Sequence, residues 1–266
     1  SAKIGRTFEG GSVVKNKVIL ISIDGMRPDG FLQCGHPFVE QMMQKFSYTL
    51  TGSSVMPSVT LPCHTSIFYG VPPMRHGILT NTYVPPVRPV KGIAEVLANA
   101  GKVNAAFYNW ETMRHVWSSE TMKYTFYLDA YSEENTDAVL TMQMLELLKR
   151  KEPDFLYLYM VETDDKGGHD HGWMSKEYLA QTANAIDCVE KVFQIASEHY
   201  NIIVTADHGG HDRTHGTDCA EDMTIPMFFW GDGFVQGAQM DNISLLDIAP
   251  TVASLMGVAP EKEWEG

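Results

Sequence analysis

The sequence predicts an α/β fold: a mostly parallel central sheet with helices on both faces, formed as one domain over residues 1–266. Three observations predict it. Short runs of β-branched and apolar residues recur along the chain, and segments with helical spacing separate them. Residues 17–23, 154–161 and 201–205 are apolar almost throughout, as strands buried on both faces are. Finally, 266 residues are enough to bury a full α/β core, and no low-complexity linker or internal repeat divides them.

The elements follow in order. Residues 17–23 form a strand that runs into Asp24 and Gly25. Residues 38–46 read as a helix. Residues 92–101 form a helix stopped by Gly101 and feed a strand at 102–108. Residues 133–151 have helical spacing at Val139, Met142, Leu145 and Leu148, closed by Pro153. The strand at 154–161 follows, then a long helix over 175–199, strands at 201–205 and 224–230, and a last helix at 244–256. The proline-rich segment 83–89 and the Trp- and Met-containing segment 109–123 read as irregular loops, either lids or ordinary surface.

Composition narrows the classes of function. Hydrophobic residues make up 44% and charged residues 20%, as in ordinary globular proteins. A net charge of −13 opposes binding to long nucleic acids but not to a small phosphate ester whose site carries metal ions. No stretch approaches the roughly 18 apolar residues of a membrane span, so no membrane partner is expected. Residues 1–7 lack the apolar core of a signal peptide. Cys34, Cys63, Cys188 and Cys219 are scattered without a C-x-x-C pair, which points to a reducing compartment. Together these features predict a cytoplasmic protein, with export of a longer precursor left open. Oligomeric state is not legible.

Chemistry concentrates where strands end. Residues 205–216 hold Asp207, His208, His211 and His215 just past a strand, where α/β folds build their sites. Asp24 ends the first strand. Asp164, Asp165, His169, Asp170 and His171 crowd the loop after the strand at 154–161, and Thr60 opens what reads as a short helix. Parallel strands bring these loops to one sheet edge. Oxygen and imidazole donors suit zinc, with manganese or iron as alternatives. So many candidate ligands point to two ions, which at roughly 3.5–4 Å apart can clamp the attacking and leaving oxygens of a phosphoryl transfer. Asp24, Asp165 and Asp207 against two dications leave a positive excess that attracts phosphate.

Five motifs in order carry a family resemblance: Ile23-Asp24-Gly25-x-Arg27; Thr60 ahead of Pro62 and His64; Asp165-x-x-Gly168-His169-x-x-Gly172; Asp207-His208-Gly209; and His215-Gly216. The chain resembles the alkaline phosphatase superfamily along essentially its whole length, and most of all the type I phosphodiesterase/nucleotide pyrophosphatase branch. Even Ser244 to Val252 resembles the closing helix of that catalytic domain. The resemblance implies an alkaline phosphatase-like fold and a two-zinc phosphodiesterase acting through a phosphothreonine on Thr60. Asp165, His169 and His215 would hold one zinc. Asp24, Asp207 and His208 would hold the other together with the Thr60 oxygen, and the Leu61 N–H would help hold a phosphoryl oxygen.

Plainer roles compete at several positions. Thr60 could be a helix N-cap. Asp164 competes with Asp165, although the spacing to Gly168, His169 and Gly172 favours Asp165. His211 with Asp212 and Arg213 supports ligands, His64 and His171 are structural, and Arg27 makes an ion pair. The branch usually has Asn where Cys63 stands, which replaces an amide donor by a weak thiol and puts nucleotide diesters in question. The chain is also short for the branch. Sulfatase is disfavoured because His64-Thr65-Ser66-Ile67 follows Cys63. The competing functions are a phosphomonoesterase or phosphonate hydrolase, a phosphotransferase or mutase, and a degenerate binding protein.

Overall fold

The computed structural model describes residues 14–266, so the expectation for residues 1–7 lies outside the described residues. Seven strands form one sheet: β1 (Val18–Ile23), β2 (Ser47–Ser53), β3 (Asn104–Tyr108), β4 (Tyr124–Tyr127), β5 (Phe155–Met160), β6 (Asn201–Thr205) and β7 (Thr224–Trp230). Their order is β2-β7-β6-β1-β5-β3-β4. Pairs β6-β1, β1-β5, β5-β3 and β3-β4 are parallel. Only β7 runs against the rest, antiparallel to both β6 and β2. The expected mostly parallel sheet is present.

The helices are α1 (Pro28–Gln33), α2 (Phe38–Lys45), α3 (Thr60–Tyr69), α4 (Pro73–His76), α5 (Ile93–Asn99), α6 (Thr136–Lys151), α7 (Lys176–Ala196), α8 (Ala220–Met223) and α9 (Ile248–Leu255). A π-helix, Thr163–His169, follows β5. Two strands were not expected. β2 (SYTLTGS) mixes hydroxyl residues with few apolar ones, and β4 follows directly on the irregular stretch 109–123 with its residues half-buried or exposed. In α6 the buried stripe runs through Leu140, Thr141, Met144, Leu145 and Leu148, while Val139 and Met142 face solvent.

Strands β1, β5 and β6 are buried along their whole length because helices cover both faces. Each large apolar side chain so enclosed contributes about 1.5–3 kcal/mol. Register then sets the site. Ser22 pairs with Thr205 and Ile23 with Met160, so the three strands end level. Asp24, Asp164 and Asp207 leave that common edge within a few residues of each strand end. Among the described residues no helix is long and apolar enough to cross a membrane.

Candidate active site

Thr60 is the first residue of α3, and the N-cap position belongs to Val59, so the threonine hydroxyl is not used as a cap. Thr60 is buried, and its Oγ1 lies 3.1 Å from His208 Nε2. His208 Nδ1 donates to Gly209 O at 2.7 Å. That bond fixes the proton on Nδ1 and leaves the Nε2 lone pair facing inward. Nε2 meets Asp24 Oδ1 at 3.2 Å and Asp207 Oδ2 at 3.3 Å, and neither carboxylate oxygen has a hydrogen-bond partner. Two buried carboxylate oxygens around one Nε2 call for positive charge there. It can be a second proton on the imidazole, which against the cost of burial Asp207 and Asp24 favour by raising His208 to about 10, or a metal cation in that proton's place.

The same pattern recurs twice. His215 Nδ1 donates to Ser58 O at 2.8 Å, and its Nε2 lies 3.7 Å from Asp164 Oδ1, another buried oxygen without a partner. His169 Nδ1 donates to Arg213 O at 2.9 Å, and its Nε2 lies 3.3 Å from Asp164 Oδ2. An imidazole held by a backbone carbonyl at one nitrogen with the other free is the arrangement metal-binding histidines adopt. Donor atoms of Asp24, Asp207 and His208 lie within 4.8 Å of one another, as do those of Asp164, His208 and His215. The His208 and His215 rings stack at 3.7 Å. These residues fit divalent cations.

Electrostatics carry the same mark. Burial pushes the Asp207 carboxyl well above the usual carboxylate range, and the Asp24 charge adds to it. Burial and Asp24 push Asp164 up to about 6. For Asp24, burial is outweighed by His208, with help from His64 and Tyr159, and the carboxyl falls to about 2. Tyr159 OH donates to Asp24 Oδ2. Without a cation, three carboxylates compete for too little positive charge.

Of the expected residues, Asp24, Thr60, His169, Asp207, His208 and His215 converge; Asp165 does not. It is half-exposed, whereas the neighbouring Asp164 is buried with its Oδ2 3.3 Å from His169 Nε2. The π-helix supplies the reason. In an α-turn, positions four apart share a face, so Asp165 and His169 would align. The π-turn, with bonds between positions five apart, is wider, and here Asp164 lies against His169. Trp173 braces this turn, its Nε1 donating to Gly25 O at 2.8 Å. A Cβ on Gly210 or Gly168 would fall 2.1 or 2.6 Å from the Trp173 ring, so both positions require glycine.

Two further expectations change. The Leu61 N–H is committed to Asn81 Oδ1 at 2.9 Å. The first turn of a helix has N–H groups without internal partners, and Asn81, which the sequence reading missed, satisfies one of them. Cys63 Sγ turns to Ser54 Oγ at 3.4 Å and Pro57 O at 3.8 Å, wholly buried beneath the helix start. Burial pushes its thiol up, and the charge of nearby Asp207 adds to it. His64 bonds Thr60 O and Ser22 Oγ, so both its nitrogens are used. His171 is exposed, and Arg27 pairs with Asp29 at 2.6 Å and donates to Gly210 O. His211 bonds Asp222 at 2.7 Å, away from the central cluster.

An open sheet of this topology, with its donors at one edge and a threonine at a helix start, defines the alkaline phosphatase-like fold. The murine ectonucleotide pyrophosphatase/phosphodiesterase 5, solved as an inactive variant with AMP, superposes with a TM-score of 0.78 at 15% identity over 93% of this chain and 96% of that one. A phosphonate monoester hydrolase from Silicibacter pomeroyi gives 0.73 at 14% identity, covering 95% and 75%. Residues 18–224 match the family described as type I phosphodiesterase / nucleotide pyrophosphatase, and the chain belongs to that family. An uncharacterized pyrophosphatase/phosphodiesterase of Schizosaccharomyces pombe is 26% identical over 231 residues, covering 77% of this chain and 47% of that protein. The human ectonucleotide pyrophosphatase/phosphodiesterase family member 1 is 27% identical over 219 residues, covering 72% and 23%. The chain thus spans about half the length of the first relative and a quarter of the second.

Proposed function

We propose that this chain is a two-zinc phosphodiesterase or nucleotide pyrophosphatase in which Thr60 is the nucleophile. One ion would be held by Asp24, Asp207 and His208 beside Thr60, the other by Asp164, His169 and His215. The observation that carries this reading is the set of three imidazoles. Each is fixed at Nδ1 by a backbone carbonyl and aims Nε2 at buried carboxylate oxygens, and His208 also meets the Thr60 hydroxyl. Zinc bound there supplies fixed positive charge where phosphoryl oxygens gain negative charge. Manganese or iron would satisfy the same donors less selectively.

Thr60 Oγ1 attacks phosphorus, and its proton ends on the departing oxygen. The bond to the leaving alcohol or phosphate breaks, and a phosphothreonine forms. Water then attacks phosphorus, the bond to Oγ1 breaks, and phosphate or a phosphate monoester departs. Asn81, anchored at the Leu61 N–H beside Thr60, is positioned for its carboxamide N–H to contact a phosphoryl oxygen. Cys63 is buried and offers the phosphate no donor, which leaves that contact to Asn81, and small nucleotide diesters stay the leading substrate class. Residues 14–266 share one sheet and one hydrophobic cluster, which supports a single domain. The four free cysteines support a reducing compartment such as the cytoplasm.

The test compares kcat/KM for bis-p-nitrophenyl phosphate and p-nitrophenyl phosphate on zinc-loaded protein, with Thr60→Ala as the blank. A strong diester preference is expected. A monoester preference would give the protein to the phosphomonoesterases, and phosphoryl transfer to an added alcohol in place of water would make it a phosphotransferase.

A further inference from the structure

A second cluster stands apart from the central one. His211, Cys219 and Asp222 lie in residues 209–223 between β6 and β7, with their donor atoms within 4.8 Å of one another. His211 Nδ1 is 2.7 Å from Asp222 Oδ1 and 3.6 Å from Cys219 Sγ. Both partners therefore meet the same ring nitrogen. A Cys–His–Asp nucleophile centre would place thiol and carboxylate on opposite nitrogens, so this trio is not one. Convergence on one nitrogen suits a shared cation: with the single Nδ1 proton gone, a nitrogen, a sulfur and an oxygen face one point.

The dimensions agree. Tetrahedral zinc with bonds of about 2.3 Å to sulfur and about 2.0–2.1 Å to nitrogen and oxygen holds S and N ~3.6 Å apart and N and O ~3.4 Å apart. The Cys219–His211 separation of 3.6 Å already has that value. The His211–Asp222 separation would open by about 0.7 Å. Support for the carboxylate is in place. Asp222 is fully buried, and its Oδ2 accepts from Thr217 N at 2.8 Å and Thr217 Oγ1 at 2.7 Å, which orients Oδ1 toward the trio. His211 and Cys219 are partly exposed, which gives an ion a way in and leaves a fourth position to water.

We propose that His211, Cys219 and Asp222 form a further zinc site, thiolate-containing and separate from the central cluster, that fastens the loop carrying His215. Binding expels the Nδ1 proton and the Cys219 thiol proton. The thiolate selects zinc over magnesium, calcium or manganese. The loop needs such a fastener. His215 reaches the central cluster from a stretch without regular structure, and the Asp222 bonds to Thr217 and His211 bracket it on both sides.

Cobalt(II) added to the metal-stripped full chain tests this without any activity readout. The central cluster offers only oxygen and nitrogen, so a near-ultraviolet thiolate-to-cobalt charge-transfer band reports the new site. The band is expected in the parent and in Cys63→Ser. It is expected to vanish in Cys219→Ser, which also retains one equivalent of cobalt less by elemental analysis. His211→Gln, which keeps the thiol, should weaken the titration of that band about tenfold or more. A cobalt-saturated parent with no such band overturns the site, and so does a band that survives Cys219→Ser or an unchanged titration in His211→Gln.

Discussion

Replacing Asp164 by Asn should stabilise the metal-free protein and destabilise the zinc-loaded one. In the metal-free chain the Asp164 carboxyl is buried near Asp24, and these two causes push it from 3.8 up to about 6. A carboxyl raised on folding favours the folded state only while protonated. Its penalty is absent below about pH 4, grows as pH rises through about 6, and reaches ~3 kcal/mol by about pH 8. The amide carries no charge and escapes that penalty. It gives up the 3.3 Å pairing with His169, which offsets about 1 kcal/mol. Metal-free Asp164→Asn should therefore be about 2 kcal/mol more stable than the parent near pH 8, a gain that disappears below about pH 4.

Zinc reverses the sign. Outer partners of ligands already cost 10–100-fold in metal affinity when lost, so a ligand carboxylate should cost at least ~1.4–2.7 kcal/mol of the stabilisation that zinc confers. Urea unfolding near pH 8, with chelator and with saturating zinc, reads both arms. Asp165→Asn, half-exposed and outside both donor groups, should shift neither arm by more than ~0.5 kcal/mol. If Asp165→Asn shows the reversal and Asp164→Asn does not, the π-turn does not decide which carboxylate binds. If neither shows it, no ion is held beside His169 and His215.

Three other outcomes are expected. Thr60→Ala should abolish turnover on diesters while the protein retains its zinc by elemental analysis; substantial residual turnover would remove Thr60 from the chemistry. Asn81→Ala should lower kcat by about 100–1000-fold, as loss of one donor to a developing oxyanion does, and unchanged kinetics would leave Asn81 only its bond to the Leu61 N–H. His76 makes folding acid-sensitive. Burial lowers its pKa from 6.5 to about 4, and Nδ1 must stay unprotonated to accept from Ile78 N–H. A lowered histidine contributes stability that is complete above about 6.5 and lost as pH falls toward 4, about 2 kcal/mol by pH ~5. Replacement by Gln should flatten that window in urea unfolding, and identical pH slopes would refute it.

How much of this was legible in the sequence follows from which physical signals are local. Strands β1, β5 and β6 announce themselves because burial on both faces demands apolar residues at every position. β2 lies at the sheet edge, and most of its residues are hydroxyl-bearing or glycine, so SYTLTGS reads as loop although Ser47, Tyr48 and Thr49 are buried. The stripe expected through Val139 and Met142 runs instead through Leu140 and Thr141, because Thr141 satisfies its hydroxyl on Asp137 O at 2.8 Å and so packs inward. Asn81 meets Leu61 only through the folded chain, and no pattern within 20 residues announces it.

The site shows the same division. Asp24, Asp207 and His208 were legible because strand ends in a parallel sheet converge by topology alone. Asp164 was not, because the choice between neighbouring carboxylates depends on how tightly one turn is wound. Asp164 lies five positions before His169, whereas the motif spacing to Gly168, His169 and Gly172 favours Asp165. The wider turn is itself braced by contacts distant in sequence. Trp173 packs against Gly168 and Gly210 and donates to Gly25 O, which joins the loops after β5, β6 and β1. A methyl group on Gly210 would strike that ring, so Gly210→Ala has to displace Trp173, and with it the turn that selects Asp164. The expected result is a loss of ~1–3 kcal/mol in stability together with zinc binding weakened at the His169–His215 side. A Gly210→Ala protein that lost stability but bound zinc like the parent would show that the turn holds its ligand without the tryptophan.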